Sequence, residues 1–582
     1  MKNSIINMTN ADLLLLAILC MMNFLFMHYF FVTNLMIEMS VYLFAFLTNF
    51  FSCIFDLSIL FILCWGVLKF NIRNALILLF VLSWTISFVN VFYGRFFMQY
   101  IPLSAFSQAG SITDGIVVDS IISGFKWWDI YYFLSFIVFL IIIVRMRHQK
   151  VHANRKQVVL MFILPILAIF GIFLSYSAYH FAKPDCRYNF ELFKARINEL
   201  IIEPESCKDS FPNGIRFQSG LLRPFLAELV ESFSPYNLTD EQCESIKKEY
   251  KNLNDRTTDH VRNPEIRNVI FLLLESFMSS TSELEVDGKY ITPFLDSLKR
   301  SENVYYNGRL HSNITIGESG DGQLIYMTGL LPLRSVLAVG VAKDDTIPSL
   351  PNTLKNKMKI DRTEIVIPSR PGMWQQENMN RVYGIDNCYS QLDTLGVEMD
   401  DKVAFDMAKR TGKSLANPFY SMVLSLSTHL PYRDFIDPEF ILKDDTYPHA
   451  YLAYLNACHN LDNQIRSYFG HLKKEGMYDN SLIVITSDHP AHLGTLCMEE
   501  RIDDCIPLYI INGNIDKEKC YLGDCNQIDV FTTILDVLNL DTEWHGLGKT
   551  LLNPNYTNSI SDKTWQISEW IIRGNYFMKE DK

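Results

Sequence analysis

Asn268-Val-Ile-Phe-Leu-Leu-Leu-Glu275-Ser276 and Leu482-Ile-Val-Ile-Thr-Ser-Asp488-His489 are the two stretches whose reading decides the fold. Each is an apolar, partly β-branched run without polar alternation, the pattern of a strand buried on both faces of a parallel sheet. Both runs stop at a carboxylate. Glu275 and Asp488 are therefore expected at the carboxyl ends of their strands, the edge where open α/β sheets bind ligands. Between them lies Ile316-Gly-Glu-Ser319-Gly-Asp-Gly-Gln323, a polar turn running into the helix-like Leu324-Ile-Tyr-Met327. A hydroxyl at such a turn sits beside backbone N–H donors and the positive end of a helix dipole, where phosphate is stabilised. Glu275, Asp488, His489 and Ser319 make a hard-to-borderline donor set for a divalent cation, with the serine as ligand and nucleophile. Singly, each reads equally well as a cap or a surface acid; their combination in this order points to chemistry.

Around these stretches, helix-like and strand-like segments alternate. A helix is expected at 291–299 and a strand at Thr363–Ile367, before Pro368-Ser-Arg370-Pro-Gly-Met-Trp374. A strand at Tyr420–Leu426 leads into Ser427-Thr-His429-Leu-Pro-Tyr432. An amphipathic helix follows, with Leu452, Leu455, Leu461, Ile465, Phe469 and Leu472 on one face. A strand at Pro507–Ile511 and a helix at about 527–540 complete the pattern. The alternation predicts a mostly parallel sheet, covered on both faces, within residues 265–582.

The chain has 582 residues, of which 49% are hydrophobic, and these crowd towards its start. Five spans of bilayer length are expected at about 11–31, 43–68, 74–93, 127–146 and 158–176, a transmembrane domain over 1–176. The first is too long, and too poor in preceding positive charge, for a cleaved signal peptide. Asp56 interrupts the second span and reads either as a functional intramembrane acid or as a helix-packing group. Lys69 and Arg73 lie between spans two and three, and Arg145, Arg147, Lys150, Arg155 and Lys156 between four and five, which marks both loops as cytoplasmic. The remainder of the chain is then expected outside. Residues 177–264, broken by Pro184, Pro204, Pro212, Pro224 and Pro235, read as a juxtamembrane linker without chemistry of its own. A formal net charge of −12 argues against nucleic acid as a partner. Nine cysteines follow the spans, and their spacing suggests the disulfides Cys497–Cys505, Cys520–Cys525 and Cys186–Cys207 in an export compartment, the odd total leaving at least one thiol unpaired.

Glu275, the Gly317-Glu-Ser319-Gly-Asp321 turn, Trp374, His429-Leu-Pro431 and Asp488-His489, in this order, resemble the alkaline phosphatase/sulfatase superfamily. More specifically, they resemble the membrane-anchored branch that includes lipoteichoic acid synthase and related phosphoglycerol transferases. The resemblance covers roughly residues 265–550 by motif, and the membrane region agrees in layout. It implies a five-helix transmembrane domain followed by an extracytoplasmic sulfatase-like α/β domain. It also implies one divalent ion on Glu275, Ser319, Asp488 and His489, with Mn2+ first and Mg2+ or Zn2+ as alternatives. Ser319 is the implied nucleophile, and His429 is implied to act on the substrate phosphate. The implied activity is transfer of a phospholipid headgroup to an envelope glycan or glycolipid through a phosphoryl-serine intermediate, at the outer face of a bacterial cytoplasmic membrane.

Two departures bear on the substrate. Serine replaces the family's threonine, which keeps the nucleophilic chemistry. Where relatives hold glycerol phosphate with His, Asp and Arg around the tryptophan, this chain has Ile367, Ser369 and Gln376, with Arg370 as a cation from another direction. Trp374, Arg370, His429 and Gln376 are thus the expected substrate contacts, while the headgroup stays open. A phosphoethanolamine transferase and a sulfatase- or phosphodiesterase-type hydrolase are the alternatives, although Ser319-Gly-Asp-Gly-Gln lacks the Pro and Arg of a sulfatase motif. A non-catalytic binding protein is the reading from a different class. His492 is expected in a supporting or surface role, and Asp529 and His545 as braces of later elements.

Overall fold

The computed structural model describes residues 2–34, 42–97, 100–101, 122, 125–146, 155–182, 221–222, 225, 229, 236–253, 260–334, 337–342, 347–369, 376–390, 400–412, 418–430, 432–433, 436–496, 498 and 502–580. Its helices and sheet fall into two compact units, one comprising residues 1–103 with 124–235, the other containing 236–582.

The first unit is helical: α1 (Lys2–Asn34), α2 (Tyr42–Val67), α3 (Ile72–Phe97), α4 (Ile130–Arg145) and α5 (Arg155–Ala182). Five helical stretches are long and apolar enough to cross a membrane: Ala11–Phe31, Leu47–Val67, Ile72–Arg95, Trp127–Arg145 (α4 with the 3-10 turn Trp127–Asp129 before it) and Gln157–Ala178. In α4 the buried side is Tyr132, Ser135, Phe139 and Ile142, whereas Phe133, Leu134, Ile137 and Ile141 are exposed. That outward apolar face suits lipid, while small and polar groups serve helix contacts. Asn23 of α1 donates to Ser83 Oγ of α3 at 3.1 Å and accepts from Tyr131 Oη of α4 at 2.8 Å. Arg95 and Asp129 form a buried two-bonded ion pair at 2.7 and 2.5 Å. Asp56, fully buried in α2, accepts Leu221 N–H at 2.7 Å and Leu222 N–H at 3.3 Å. A helical turn begins there, since Phe225 N–H donates to Leu221 O at 3.2 Å. Of the two roles open to this acid, the structure provides the packing one: Asp56 caps that turn, satisfying donors that would otherwise be stranded.

The second unit is a sheet between two layers of helices. Its strands are β1 (Asn268–Leu274), the small hairpin β2 (Glu285–Val286) and β3 (Lys289–Tyr290), β4 (Val304–His311), β5 (Arg362–Val366), β6 (Asn387–Tyr389), β7 (Phe419–Leu424), β8 (Ser481–Ser487), β9 (Ile506–Ile511) and β10 (Cys525–Asn526). The main sheet runs β10-β4-β9-β8-β1-β7-β5-β6, and only β9 opposes the common strand direction. Along β1, Val269, Phe271 and Leu273 enter one apolar core and Ile270, Leu272 and Leu274 the other. This two-sided burial is why the run shows no polar alternation.

The first core is covered by α6 (Asp240–Leu253), α8 (Ser319–Thr328), α9 (Leu350–Met358), α10 (Gln376–Tyr383), α13 (Asp529–Val537) and α14 (Asp562–Gly574). The second is covered by α7 (Pro293–Lys299), α11 (Lys402–Gly412) and α12 (His449–Lys474). The expected architecture, five apolar helices followed by an α/β domain with a mostly parallel sheet, is the one observed. Strand β4 escapes a reading by pattern, because Asn307, Gly308 and Arg309 interrupt its apolar run where its register against β9 shifts.

The disulfide expectation is corrected. Cys505, Cys520 and Cys525 are free thiols. Cys525 lies in β10, buried against Asn307 and the Arg309 carbonyl, whereas the Cys520 thiol donates to the Lys517 carbonyl. Closeness in sequence did not bring these two sulfurs together. Cys497, Cys186 and Cys207 lie outside the described residues.

Candidate active site

Strands β1 and β8 are parallel neighbours with Leu274 opposite Ser487, so the residues that follow them, Glu275 and Asp488, emerge side by side. The edge is tightly tied. Ser487 Oγ donates to Leu274 O and accepts Phe277 N–H, both at 2.8 Å. Asp488 Oδ1 accepts Ser276 N–H at 2.9 Å. Ser276 adopts φ +50°, a left-handed conformation that turns the chain sharply past Glu275.

Ser319 reaches the same point from α8, whose first residue it is. Asp321 shapes the preceding turn by accepting Thr315 N–H, Thr315 Oγ1–H and Gly317 N–H at 2.9, 2.8 and 2.9 Å. A Cβ on Gly317 would stand 2.2 Å from Asp321 Oδ1, and one on Gly322 would stand 2.6 Å from the Asp488 carbonyl. Glycine at both positions lets the turn close and lets α8 approach β8.

The result is a compact constellation. Ser319 Oγ lies 3.1 Å from Glu275 Oε2 and 3.2 Å from His489 Nε2. His489 Nε2 lies 3.5 Å from Glu275 Oε1 and 3.8 Å from Asp488 Oδ2. One ligand atom from each of Glu275, Asp488 and His489 fits within 4.8 Å, and all three residues are buried. The His489 Nδ1 faces the Pro490 carbonyl at 2.9 Å. A carbonyl only accepts, so Nδ1 carries a proton and Nε2 is the nitrogen turned to the site.

The electrostatics are those of a cation site. Burial, with Glu275 beside it, pushes the Asp488 carboxyl up to about 7. Burial alone would lower His489, but Asp488, Glu275 and Glu318 outweigh it and raise the imidazole to about 9. Burial likewise pushes Glu318 up to about 7 and Asp321 to about 6. Among the described residues, the ion pairs of Glu275 and Asp488 are with His489 rather than with lysine or arginine. Clustered acids held this close without a fixed basic side chain suit a divalent metal, and Glu275, Asp488, His489 and Ser319 supply oxygen and nitrogen donors for it.

His429 follows β7, with Nδ1 bonded to the Leu430 carbonyl. Burial lowers its pKa, and both His489 and Asp488 are near enough to influence it. Gln376 opens α10, where it exchanges two amide hydrogen bonds of 3.1 Å with Gln323 of α8 and donates to Asn380 at 2.9 Å. Trp374 and Arg370 lie outside the described residues. The His492 ring is 5.8 Å from that of His489, with Nε2 3.7 Å from Glu318 Oε2. Asp529 accepts Lys549 N–H at 2.8 Å and Tyr556 Oη–H at 2.7 Å, and His545 bonds Thr542 Oγ1 at 2.9 Å. Sequence reasoning missed Ser425, whose hydroxyl accepts Glu275 N–H at 2.9 Å, because a serine after a strand carries no distinguishing signal.

Residues 267–540 match the Sulfatase family model, and residues 1–184 match that of the lipoteichoic acid synthase N-terminal domain. Lipoteichoic acid synthase 2 of Bacillus subtilis is 26% identical over 527 residues, spanning 84% of this chain and 75% of that protein. Lipoteichoic acid synthase of Staphylococcus aureus is 24% identical over 508 residues, spanning 82% and 74%. Among solved structures, the lipooligosaccharide phosphoethanolamine transferase A of Neisseria meningitidis, an integral membrane protein, aligns with 90% of this chain and 95% of its own, at a TM-score of 0.54 and 13% identity. With a synthase-type membrane domain followed by a sulfatase domain, the chain belongs to the membrane-anchored phosphotransferases of the alkaline phosphatase/sulfatase superfamily.

Proposed function

We propose that this enzyme transfers a phospholipid headgroup, phosphoglycerol or a close analogue, to a glycan or glycolipid of the bacterial envelope through a phosphoryl-serine intermediate. The observation that carries the reading is the position of Ser319. Its hydroxyl stands at the amino end of α8 within 3.1 Å of Glu275 and 3.2 Å of His489. A divalent cation on Glu275, Asp488, His489 and Ser319, Mn2+ first among candidates, supplies charge that lowers the serine pKa and neutralises phosphate.

Ser319 Oγ attacks phosphorus, the bond to the glycerol oxygen of the lipid breaks, and diacylglycerol leaves. An acceptor hydroxyl then displaces Ser319 and regenerates it. His429 stabilises charge on the phosphate or protonates the leaving oxygen. The resemblance assigns headgroup contact to Arg370, Trp374 and Gln376, with Gln376 acting through the α8–α10 contact. The relatives whose names describe lipoteichoic acid synthesis support this reading.

The basic residues of the loops after α2 and α4 support a catalytic unit on the outer side of the cytoplasmic membrane. A reporter fused after residue 150 is then active only in the cytoplasm and one fused at 582 only outside; the reverse pattern overturns the orientation. For the chemistry, full-length protein with Mn2+ is incubated with vesicles of phosphatidylglycerol or of phosphatidylethanolamine. The expected result is diacylglycerol release from one of them and headgroup phosphate on the peptide containing Ser319. Label on Thr315 or Ser276 instead overturns the nucleophile.

A further inference from the structure

Strand β7 ends at Leu424 and hands over to Ser425-Leu-Ser-Thr-His429, a segment outside the sheet that carries His429 to the carboxyl edge. Amides leaving a ladder need new partners. Ser425 N–H still donates to Leu273 O at 3.1 Å, and His429 N–H donates to Leu426 O at 3.0 Å. Two of the other amides, those of Leu426 and Ser427, are satisfied by one side chain. Asp401 Oδ1 accepts Leu426 N–H at 2.5 Å and Ser427 N–H at 3.0 Å. The Ser427 hydroxyl donates to the other oxygen, Oδ2.

Asp401 is 0% exposed, stands just ahead of α11, and has no ion pair among the described residues. All three of these donors come from the His429 segment. The far side of that segment is stitched to a candidate metal ligand. Ser425 Oγ accepts Glu275 N–H, and the Thr428 hydroxyl donates to Glu275 O. A buried carboxylate with no cation beside it, spent wholly on one loop, is costly unless that loop's position matters.

We propose that Asp401 is a positioning residue for catalysis: it holds the Ser425–His429 segment so that the imidazole of His429 is fixed against the reacting phosphate beside Glu275. This rests on the reading of His429 given above. The geometry distinguishes two substitutions. Asparagine can still accept both amides through Oδ1, and its Nδ2–H can donate to Ser427 Oγ, which exchanges roles. Alanine strands both amides.

The test is a double-mutant cycle on full-length, Mn2+-loaded protein, following diacylglycerol release from phosphatidylglycerol vesicles, or phosphatidylethanolamine vesicles if that is the donor. Asp401→Ala is expected to lower kcat about 10–100-fold, the range for lost supporting partners, without raising KM or shedding metal. Asp401→Asn retains most of the rate. The Asp401→Ala/His429→Ala double variant is no slower than His429→Ala alone. Hydrogen exchange on metal-free protein gives a readout free of activity. Peptides covering 425–430 lose protection in Asp401→Ala and keep it in Asp401→Asn, while those covering 268–274 and 481–487 are unchanged in both.

Additive losses in the cycle, or loss of protection across the whole sheet in Asp401→Ala, overturn the proposal and leave Asp401 a fold residue. Full activity in His429→Ala is a separate outcome. It overturns the assigned role of His429 and the positioning role with it.

Discussion

The membrane unit and the sheet unit bury the same kinds of polar residue to opposite ends. In the membrane unit the apolar surface faces out, with Phe133 57% and Ile137 53% exposed, and the buried carboxylates Asp56 and Asp129 are closed by definite donors. In the sheet unit the apolar residues of β1 are at most 2% exposed, and the carboxylates at its edge face each other around one histidine. A buried acid whose lone pairs are filled by the chain's own N–H groups is a structural device. A buried acid pushed up by burial and by a second carboxylate beside it, as Asp488 is, is balanced only by a cation or a proton, and such imbalance marks a functional centre. Asp401 belongs by geometry to the first kind, although it lies beside the second.

The largest effect that tests this contrast is expected at Ser319. Ser319→Ala should reduce headgroup transfer by several orders of magnitude, as loss of a covalent nucleophile does, while the melting temperature stays near wild type. Ser319→Thr should remain active. An alanine variant as active as wild type would reduce the constellation to a structural one.

Next comes the metal. Elemental analysis should find about one divalent ion per chain, lost in Asp488→Ala. The pH dependence has a definite sign. Asp488 rises from 3.8 to about 7 and His489 from 6.5 to about 9, so both hold their protons more tightly folded than unfolded. Their contribution to stability without metal is present at low pH and is lost as pH climbs, between about 4 and 7 for the acid and about 6.5 and 9 for the histidine. Metal requires the deprotonated ligands, so affinity should rise over the same interval with proton release. A metal-free melting temperature that increases from pH 5 to pH 9, or an affinity flat in pH, would contradict the assigned electrostatics.

Smaller is the effect expected at Asp56. Asp56→Ala strands the Leu221 and Leu222 amides and should cost about 1–3 kcal/mol for each buried donor left unpaired, read as a lower melting temperature in detergent. Asp56→Asn, which keeps an acceptor oxygen, should recover much of it. Equal loss in both variants would mean that the charge matters beyond the cap, and would blur the comparison between the two units. Smallest is the pair Arg309–Asp524, with side chains 62% and 54% exposed. Arg309→Ala should change stability by less than about 1 kcal/mol, as exposed ion pairs do.

Part of this was legible because its physical cause is local. Five long apolar runs imply membrane helices wherever they pack, since backbone groups in lipid must be satisfied within their own segment. Continuous apolar strands at Val269–Leu274 and Leu482–Ile485, each followed by an acid, imply two-sided burial and a ligand-binding edge. The glycine turn that runs into a helix at Ser319 was legible for similarly local reasons.

Other features depend on register and on partners far along the chain. The cap on Asp56 comes from residues 165 and 166 positions away, and no periodicity announces it. Asp401 sits in no motif, and its meaning appears only when β7 delivers Leu426 and Ser427 to it. Strand β4 was hidden by its bulge, and the proximity of Cys520 and Cys525 in sequence promised a bond that their separate environments rule out. Composition and period determined which segments would be buried and where charge would gather. Only the tertiary structure decided which buried charges are closed by the chain's own donors and which face one another at the sheet edge, because that depends on groups brought from distant segments.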